Sequence, residues 1–161
     1  MADAISRLKY SAATWVAKPL GNVLANVAIA ALPDVVLPVP LHPRRVVERG
    51  FNQSALLAAG VARRYALPLD TSTLRRVRDT APQARQARTE RLSALRGAFA
   101  VSRPDRIESA RVLLIDDVVT TTATTRAASA ALLRAGAAAV NVVSLARAEW
   151  PDRVADRGQT S

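Results

Sequence analysis

The most informative segment of this chain is Val112-Leu113-Leu114-Ile115-Asp116-Asp117-Val118-Val119-Thr120-Thr121-Thr122-Ala123-Thr124-Thr125. Its apolar half predicts a strand that is buried on both faces of a parallel sheet. A helix is expected from about Thr125 to Ala135, with Gly136 placed to end it. Such a strand–turn–helix unit suits a sugar phosphate. The helix start and the threonines offer N–H and O–H donors to a phosphate, and the carboxylates accept hydrogen bonds from sugar hydroxyls.

The two adjacent acids, Asp116 and Asp117, allow a second interpretation. Asp117 or Thr120 could simply cap the following helix, which aspartate and threonine do well. We favour a binding role, because strand interiors are depleted in aspartate and a buried charge needs a partner.

The composition bounds the class of protein. The chain has 161 residues, half of them apolar and only 4% aromatic, which favours one domain with helices packed on a parallel sheet. There is no cysteine, which excludes disulfides and thiolate zinc sites and favours a cytoplasmic protein. The net charge of +10 comes almost wholly from arginine. It indicates anionic ligands, either nucleotides or nucleic acid, or merely an arginine-rich soluble surface.

No membrane span is expected. The longest apolar candidate, residues 20–32, has only 13 residues and contains Asn22 and Asn26. The N-terminus also lacks the residue succession of a secretory signal, since Asp3 and Arg7 interrupt it. These features again favour the cytoplasm.

The order of predicted elements indicates a single α/β domain with a mainly parallel sheet flanked by helices. A basic, exposed and mobile flap is expected at about residues 72–96, with some helix around 89–95. The other predicted elements are an N-terminal helical part (about 2–31), a strand (35–41), a loop (42–50), a helix (52–65), a short strand (68–70), a strand (97–101), a connector (103–110), a strand (140–145) and a polar tail (about 150–161).

A second motif follows the first predicted strand: Pro38-Val39-Pro40-Leu41-His42-Pro43-Arg44-Arg45, then Arg49-Gly50-Phe51-Asn52-Gln53. Arg44 and Arg45 can present planar donors to an oxyanion such as a leaving pyrophosphate. The alternative is a proline-rich loop with solvated arginines. His42 is the only histidine, and between Leu41 and Pro43 we favour a structural or phosphate-contacting role over general-base catalysis.

The first motif resembles the signature of the type I phosphoribosyltransferases, in which a hydrophobic strand and two acids precede a phosphate loop. The resemblance implies that Asp116 and Asp117 engage the ribose hydroxyls of phosphoribosyl pyrophosphate. It assigns the 5′-phosphate to the loop residues Thr120, Thr121, Thr122, Ala123 and Thr124. One position departs from the family: Thr122 stands where glycine is usual, and glycine would permit positive φ and close approach to a phosphate.

The second motif is similar to that of the ComF family of phosphoribosyltransferase-like proteins, which is associated with competence for DNA uptake. Further segments also match the family: residues 8–10, 74–83, 90–91 and 95–99. With them, the resemblance covers about residues 8–147. Many members carry a cysteine-rich zinc ribbon, but without cysteine no zinc is expected here. Ala94 stands where the family commonly has asparagine.

The resemblance implies binding of phosphoribosyl pyrophosphate or a related sugar phosphate. Mg²⁺ would arrive with the pyrophosphate, with no metal bound directly by the protein. Arg75, Arg76 and Arg78 of the flap would close over the pyrophosphate, although they could equally follow nucleic acid or form a solvated basic surface. The rival to an enzyme is a non-catalytic protein that assists uptake of single-stranded DNA, alone or with DNA-uptake proteins. A homodimer is the default assembly.

Overall fold

The computed structural model describes residues 24, 32–79, 95, 97–119 and 122–147. Its strands are β1 (Val35–Pro38), β2 (Leu74–Arg76), β3 (Phe99–Val101), β4 (Arg111–Val119) and β5 (Ala139–Arg147). Its helices are α1 (Pro43–Arg49), α2 (Gln53–Tyr65) and α3 (Ala123–Arg134), with a 3₁₀ turn at Pro104–Arg106. Apart from the buried Leu24 and Leu95, the predicted N-terminal helical part, the helix around 89–95 and the polar tail lie outside the described residues.

The described strands form a three-stranded parallel sheet in the order β1-β4-β5 and a two-stranded antiparallel ribbon, β2-β3. In the parallel sheet, Val35 lies opposite Val112, and Arg111 lies opposite Ala139. The short strand predicted at 68–70 is a single parallel bridge between Val36 and Leu69. The prediction of a mainly parallel sheet flanked by helices is confirmed.

Strands β1 and β4 bury both faces, because alternate side chains point to opposite sides of the sheet. The first face packs against α3 and the β2-β3 ribbon, and the second packs against α2. The strand residues of the first face are Val35, Leu37, Val112 and Leu114, and those of the second are Val36, Leu113 and Ile115. The apolar run therefore requires a helix on each side. Among the described residues, no helix is long and apolar enough to cross a membrane.

An ion pair joins the amino ends of β1 and β4. Arg111 donates from Nη2 to Oδ1 of Asp34 at 2.8 Å, from Nε to Oδ2 at 3.1 Å, and from its backbone N–H to Oδ2 at 2.8 Å. These side-chain and backbone hydrogen bonds lower the pKa of Asp34 to about 2. The stabilisation is therefore present above the ordinary aspartate pKa and is lost as the pH falls through 2.

The turn that leads into β2 is organised by Asp70. Its carboxylate accepts hydrogen bonds from the backbone and hydroxyl groups of Ser72 and Thr73, including 2.5 Å from Thr73 Oγ1 to Oδ2. Burial raises the pKa of Asp70, but these hydrogen bonds outweigh it and lower the pKa to about 2.

Removing the Asp70 carboxylate is expected to destabilise the fold. Asp70→Ala should lower the free energy of unfolding at pH 7 by about 2–3 kcal/mol, because Thr73 is fully buried and its donors would lose their acceptor. Asp70→Asn keeps Oδ1 and should cost about half as much. Urea denaturation checks both variants. Equal losses for Ala and Asn would contradict the role of the hydrogen bonds.

The first residues of the predicted mobile flap form an ordered strand, so that part of the prediction was wrong. Arg76 lies opposite Phe99 in the β2-β3 ribbon, and Thr73 and Leu74 are buried. The alternation along β2 turns Leu74 into the core while Arg75 stays exposed. Residues 80–94 of the predicted flap lie outside the described residues.

The predicted loop at 42–50 is also wrong, because its central part is helix α1. Pro43 suits the first helical position, and the Nδ1 atom of His42 accepts a hydrogen bond from the backbone N–H of Arg44 at 3.4 Å. Gly50, at φ +78°, ends the helix. His42 therefore caps α1, as its predicted structural role requires.

Several element boundaries differ from the predictions. Strand β1 ends at Pro38 and not at residue 41, because proline cannot donate to a strand ladder. Helix α3 begins at Ala123, two residues before the predicted start. Strand β5 spans nine residues and is longer than the predicted 140–145.

Candidate functional site

The two acids lie near the carboxyl end of β4, the central strand of the parallel sheet. Asp116 is 8% exposed, and Asp117 is half-buried. The Oδ1 atom of Asp116 accepts a hydrogen bond from Oγ of Ser54 at 3.3 Å and another from the backbone N–H of Asp117 at 3.0 Å. Both bonds reach the same oxygen and hold the Asp116 carboxyl in place at the end of β4.

The start of α2 places the Ser54 hydroxyl beside Asp116. Asn52 caps α2, since its Oδ1 accepts from the backbone N–H of Ser54 at 3.1 Å. Its Nδ2 donates to the carbonyl of Val39 at 3.1 Å, just beyond the end of β1. The end of β1, the start of α2 and the end of β4 therefore meet at one corner of the sheet.

The acid pair carries less charge at neutral pH than two ordinary aspartates would. Burial raises the pKa of Asp116, and the neighbouring charge of Asp117 raises it further, to about 7. The hydrogen bonds from the Asp117 backbone and from Ser54 oppose these effects without cancelling them. Near pH 7 the Asp116 carboxyl is therefore divided between its protonated and ionised forms.

The two predicted pyrophosphate-binding arginines lie on α1, which begins five residues after β1. Arg44 is exposed. Arg45 is half-buried and donates from Nη1 to Oε2 of Glu48 at 3.4 Å. Both arginines therefore lie on α1, and the contact of Arg45 is with Glu48 one turn further along the same helix.

Of the three predicted flap arginines, Arg76 is half-buried, and burial is the main cause that lowers the pKa of its guanidinium. Its guanidinium lies 5.7 Å from the centre of the Phe99 ring. Arg75 is exposed and donates from Nε to the carbonyl of Ser72 at 3.4 Å. Arg78 lies against Gly97, at the end of the ribbon.

The predicted phosphate loop joins β4 to α3. Thr120 and Thr121 lie outside the described residues. Thr122 has φ −65° and ψ 2°, and its carbonyl accepts hydrogen bonds from the backbone of Arg126 and the hydroxyl of Thr125. Any L-residue adopts this conformation, so threonine in place of the usual glycine introduces no backbone strain. Ala123 is buried and Thr124 half-buried at the helix start.

The simple helix-capping interpretation of Asp117 does not fit this geometry. Asp117 lies within β4, and the residue at the cap position of α3 is Thr122, whose side chain makes no capping hydrogen bond. Helix capping therefore does not explain the aspartate at position 117.

No family model matches the chain. Among curated proteins it is similar to the DNA utilization protein YhgH of Salmonella typhi, with 35% identity over 150 residues, which is 89% of this chain and 65% of that protein. The YhgH protein of Escherichia coli K12 gives the same identity and coverage. Competence protein F of Haemophilus influenzae is 33% identical over 153 residues, 89% of this chain and 66% of that protein. The chain thus spans slightly less than two thirds of the length of these relatives.

Two solved structures share the fold. The allosteric regulatory enzyme of purine biosynthesis superposes with a TM-score of 0.56 and 25% identity, covering 80% of this chain and 25% of that chain. The glutamine phosphoribosylpyrophosphate amidotransferase of B. subtilis, complexed with ADP and GMP, gives a TM-score of 0.54 and 26% identity, covering 78% of this chain and 25% of that chain.

The chain belongs to the ComF family of type I phosphoribosyltransferase-like proteins. The family assignment rests on the competence and DNA-utilization relatives, and the fold assignment rests on the amidotransferase structures. Both resemblances that the sequence motifs indicated are therefore confirmed.

Sequence reasoning missed two residues of this ComF-family site, Asn52 and Ser54. Their signal was the polar Asn-Gln-Ser start of α2, which is typical of a helix cap. The pattern locates the cap correctly, but the partner of Ser54 is 62 residues away in the chain. Only the packing of α2 against β4 reveals that contact.

Proposed function

We propose that this ComF-family protein binds phosphoribosyl pyrophosphate, or a closely related sugar phosphate, at the carboxyl end of β4 and transfers the phosphoribosyl group. The observation that carries the proposal is the acid pair at the corner where the end of β1, the start of α2 and the end of β4 meet. Ligands of open α/β sheets bind outside the carboxyl ends of the strands. A solved structure with this fold is named for its use of phosphoribosylpyrophosphate, which supports the choice of ligand.

Each part of the corner has a role in the proposed reaction. Asp117 and the Oδ2 atom of Asp116 accept hydrogen bonds from the ribose hydroxyls. The start of α3 offers N–H and hydroxyl donors to the 5′-phosphate, because the first N–H groups of a helix have no partner within it. The residues proposed to hold this phosphate are Thr120, Thr121, Thr122, Ala123 and Thr124.

Arg44 and Arg45 are proposed to stabilise the leaving pyrophosphate. As the bond between ribose C1 and the pyrophosphate oxygen breaks, its electron pair leaves with the pyrophosphate and negative charge grows there. A nucleophile then forms the new bond to C1. Two guanidinium groups on α1 can donate paired hydrogen bonds to those oxygens.

Mg²⁺ is proposed to arrive with the pyrophosphate. Among the described residues, no group of three or more acidic or histidine side chains is arranged to hold a metal ion. Mg²⁺ at phosphate sites is usually held mainly by phosphate oxygens and water. When bound, the cation would neutralise charge on the pyrophosphate.

A second candidate function is assistance to the handling of single-stranded DNA without catalysis. The names of the relatives, DNA utilization protein and competence protein, favour it. The net charge of +10 is compatible with a polyanionic partner. The fold alone does not decide between the two candidates.

Thermal unfolding in the presence of each ligand separates the candidates. A transferase should be stabilised by phosphoribosyl pyrophosphate with Mg²⁺, by about 2.7 kcal/mol when the ligand is at 100 times its Kd. Single-stranded DNA binding is measured in parallel at several salt concentrations. If the sugar phosphate gives no shift at millimolar concentration while DNA binds with a steep salt dependence, the DNA-handling function replaces the transferase.

A further inference from the structure

Strand β5 forms one edge of the parallel sheet, because the described strands follow the order β1-β4-β5. It spans nine residues, Ala139–Arg147, and pairs with β4 along one side. Among the described residues, no strand pairs with its other side. Within the described chain, that side of β5 is open to a further strand.

The sequence of β5 is typical of a buried strand, but its side chains are partly exposed. Val140, Val142, Val143 and Leu145 give it the near-continuous apolar run of a strand that is covered on both faces. Val142 is 40% exposed, and the other three are only half-buried. In the adjacent strand β4, by contrast, the apolar residues 112–115 are all buried. The apolar content of β5 thus exceeds what the described chain covers.

The two edges of the sheet differ in how they are protected against pairing with another chain. Beyond β1, the sheet is bordered by the single bridge to Leu69, which follows Pro68, and proline cannot donate to a strand ladder. Strand β5 contains no proline, and its only charged residue is the last one, Arg147. Its register with β4 is constant from Ala139 to Arg147, so no bulge bends β5 away. Because natural sheets rarely leave such an edge unpaired, β5 is suited to pairing with another chain.

We infer that β5 is the interface with a second copy of this chain, in which the two β5 strands pair antiparallel across a two-fold axis. Each copy carries a net charge of +10, and the uncharged residues 139–146 are where two copies can approach with little repulsion. Antiparallel pairing places the two Arg147 residues at opposite ends of the strand pair, roughly 25 Å apart, which is beyond the range of strong repulsion in salt. The contact is closed, because each copy uses its one unprotected edge.

The pairing joins the three described parallel strands of each copy into one continuous sheet. A sheet of three strands is smaller than most, and the joined sheet reaches the usual size. Because the paired strands are antiparallel, the carboxyl ends of the two β4 strands point in opposite directions. The acid pairs, Asp116 and Asp117 of each copy, therefore lie at opposite ends of the joined sheet. The interface does not depend on the proposed sugar-phosphate binding.

The first test measures the mass of the full chain in solution by light scattering during size-exclusion chromatography. At about 100 μM we expect twice the 17.2 kDa mass of one chain. Val142→Lys should raise the dissociation constant of the dimer about 10- to 100-fold, because it places like charges close together at the axis. Val47→Lys makes the same change at an 85% exposed residue of α1 and should leave the dimer unchanged. If Val142→Lys fails to fold, Asn141→Lys serves instead, since Asn141 is already polar and exposed.

The second test locates the axis by disulfide formation. The chain has no cysteine, so a single introduced thiol is unique, and each residue from 140 to 145 is replaced by cysteine in turn. The two-fold axis sets one residue of β5 directly opposite its own copy, with Cα atoms about 5 Å apart, which suits a disulfide. Mild oxidation should therefore link the dimer through one of these positions and not through Val47→Cys.

Three results would overturn the inference. The first is a protein that stays monomeric at about 100 μM. The second is a dimer that Val47→Lys weakens as much as Val142→Lys does. The third is a dimer that no cysteine between residues 140 and 145 can link.

Discussion

Asp117→Asn is expected to abolish the rise in unfolding temperature that phosphoribosyl pyrophosphate with Mg²⁺ gives to the wild-type protein. Asp117 is the more exposed acid of the pair and lies within β4, where it does not cap α3. The amide has nearly the same shape but lacks the charge that strengthens hydrogen bonds from sugar hydroxyls. At a ligand concentration of 100 times the wild-type Kd, the stabilisation of about 2.7 kcal/mol should fall below roughly 0.5 kcal/mol.

Differential scanning fluorimetry with and without the ligand measures this loss. Asp105→Asn is the matched control, because it makes the same change of charge at an exposed residue of the 3₁₀ turn. The control should keep the full gain. An Asp117→Asn protein that is stabilised as strongly as wild type would remove the acid pair from the proposed site.

Asp116→Asn is expected to make the ligand-free protein more stable at pH 8. The folded-state pKa of Asp116 is raised from 3.8 to about 7, so the folded state prefers the protonated form. The stability that this group contributes is fully present below pH 4 and is lost as the pH rises through 7. The loss between pH 4 and pH 8 should be on the order of 2–4 kcal/mol, and asparagine avoids it because it cannot ionise.

The amide suits position 116 because its oxygen can still accept hydrogen bonds from Ser54 and from the backbone N–H of Asp117. Urea denaturation at pH 5 and pH 8 compares the variant with wild type and with Asp105→Asn. Wild type should lose stability between the two pH values more steeply than Asp116→Asn. A variant that is less stable than wild type at pH 8 would show that the ionised carboxylate stabilises the fold.

Asp117→Asn tests the contribution of one acid to ligand binding, and Asp116→Asn tests the effect of the adjacent acid on the stability of the fold. A buried acid whose ionisation lowers the stability of the folded protein at neutral pH is expected at a site where the charge binds a ligand. Asp70 is the opposite case in the same chain, since its hydrogen bonds lower its pKa and make its charge a source of stability.

Local sequence patterns are sufficient to predict the central architecture. The apolar run before Asp116 specifies a strand buried on both faces, because its uninterrupted large side chains leave no polar face for solvent. The small and polar residues after it specify a turn into a helix. These features follow from patterns within about 20 residues.

Long-range packing, which no local pattern predicts, brings the Ser54 hydroxyl to Asp116, 62 residues further along the chain. Arg76 was predicted in a mobile flap, but strand pairing places it opposite Phe99 in the ribbon. Helix α1 was likewise not predicted, because the proline-rich composition of this segment is typical of loops. In the structure, His42 caps the helix. Local patterns fix strands and helices because their hydrogen bonds are local. The charge state of a buried acid depends on burial and on partners that only the packed chain brings together.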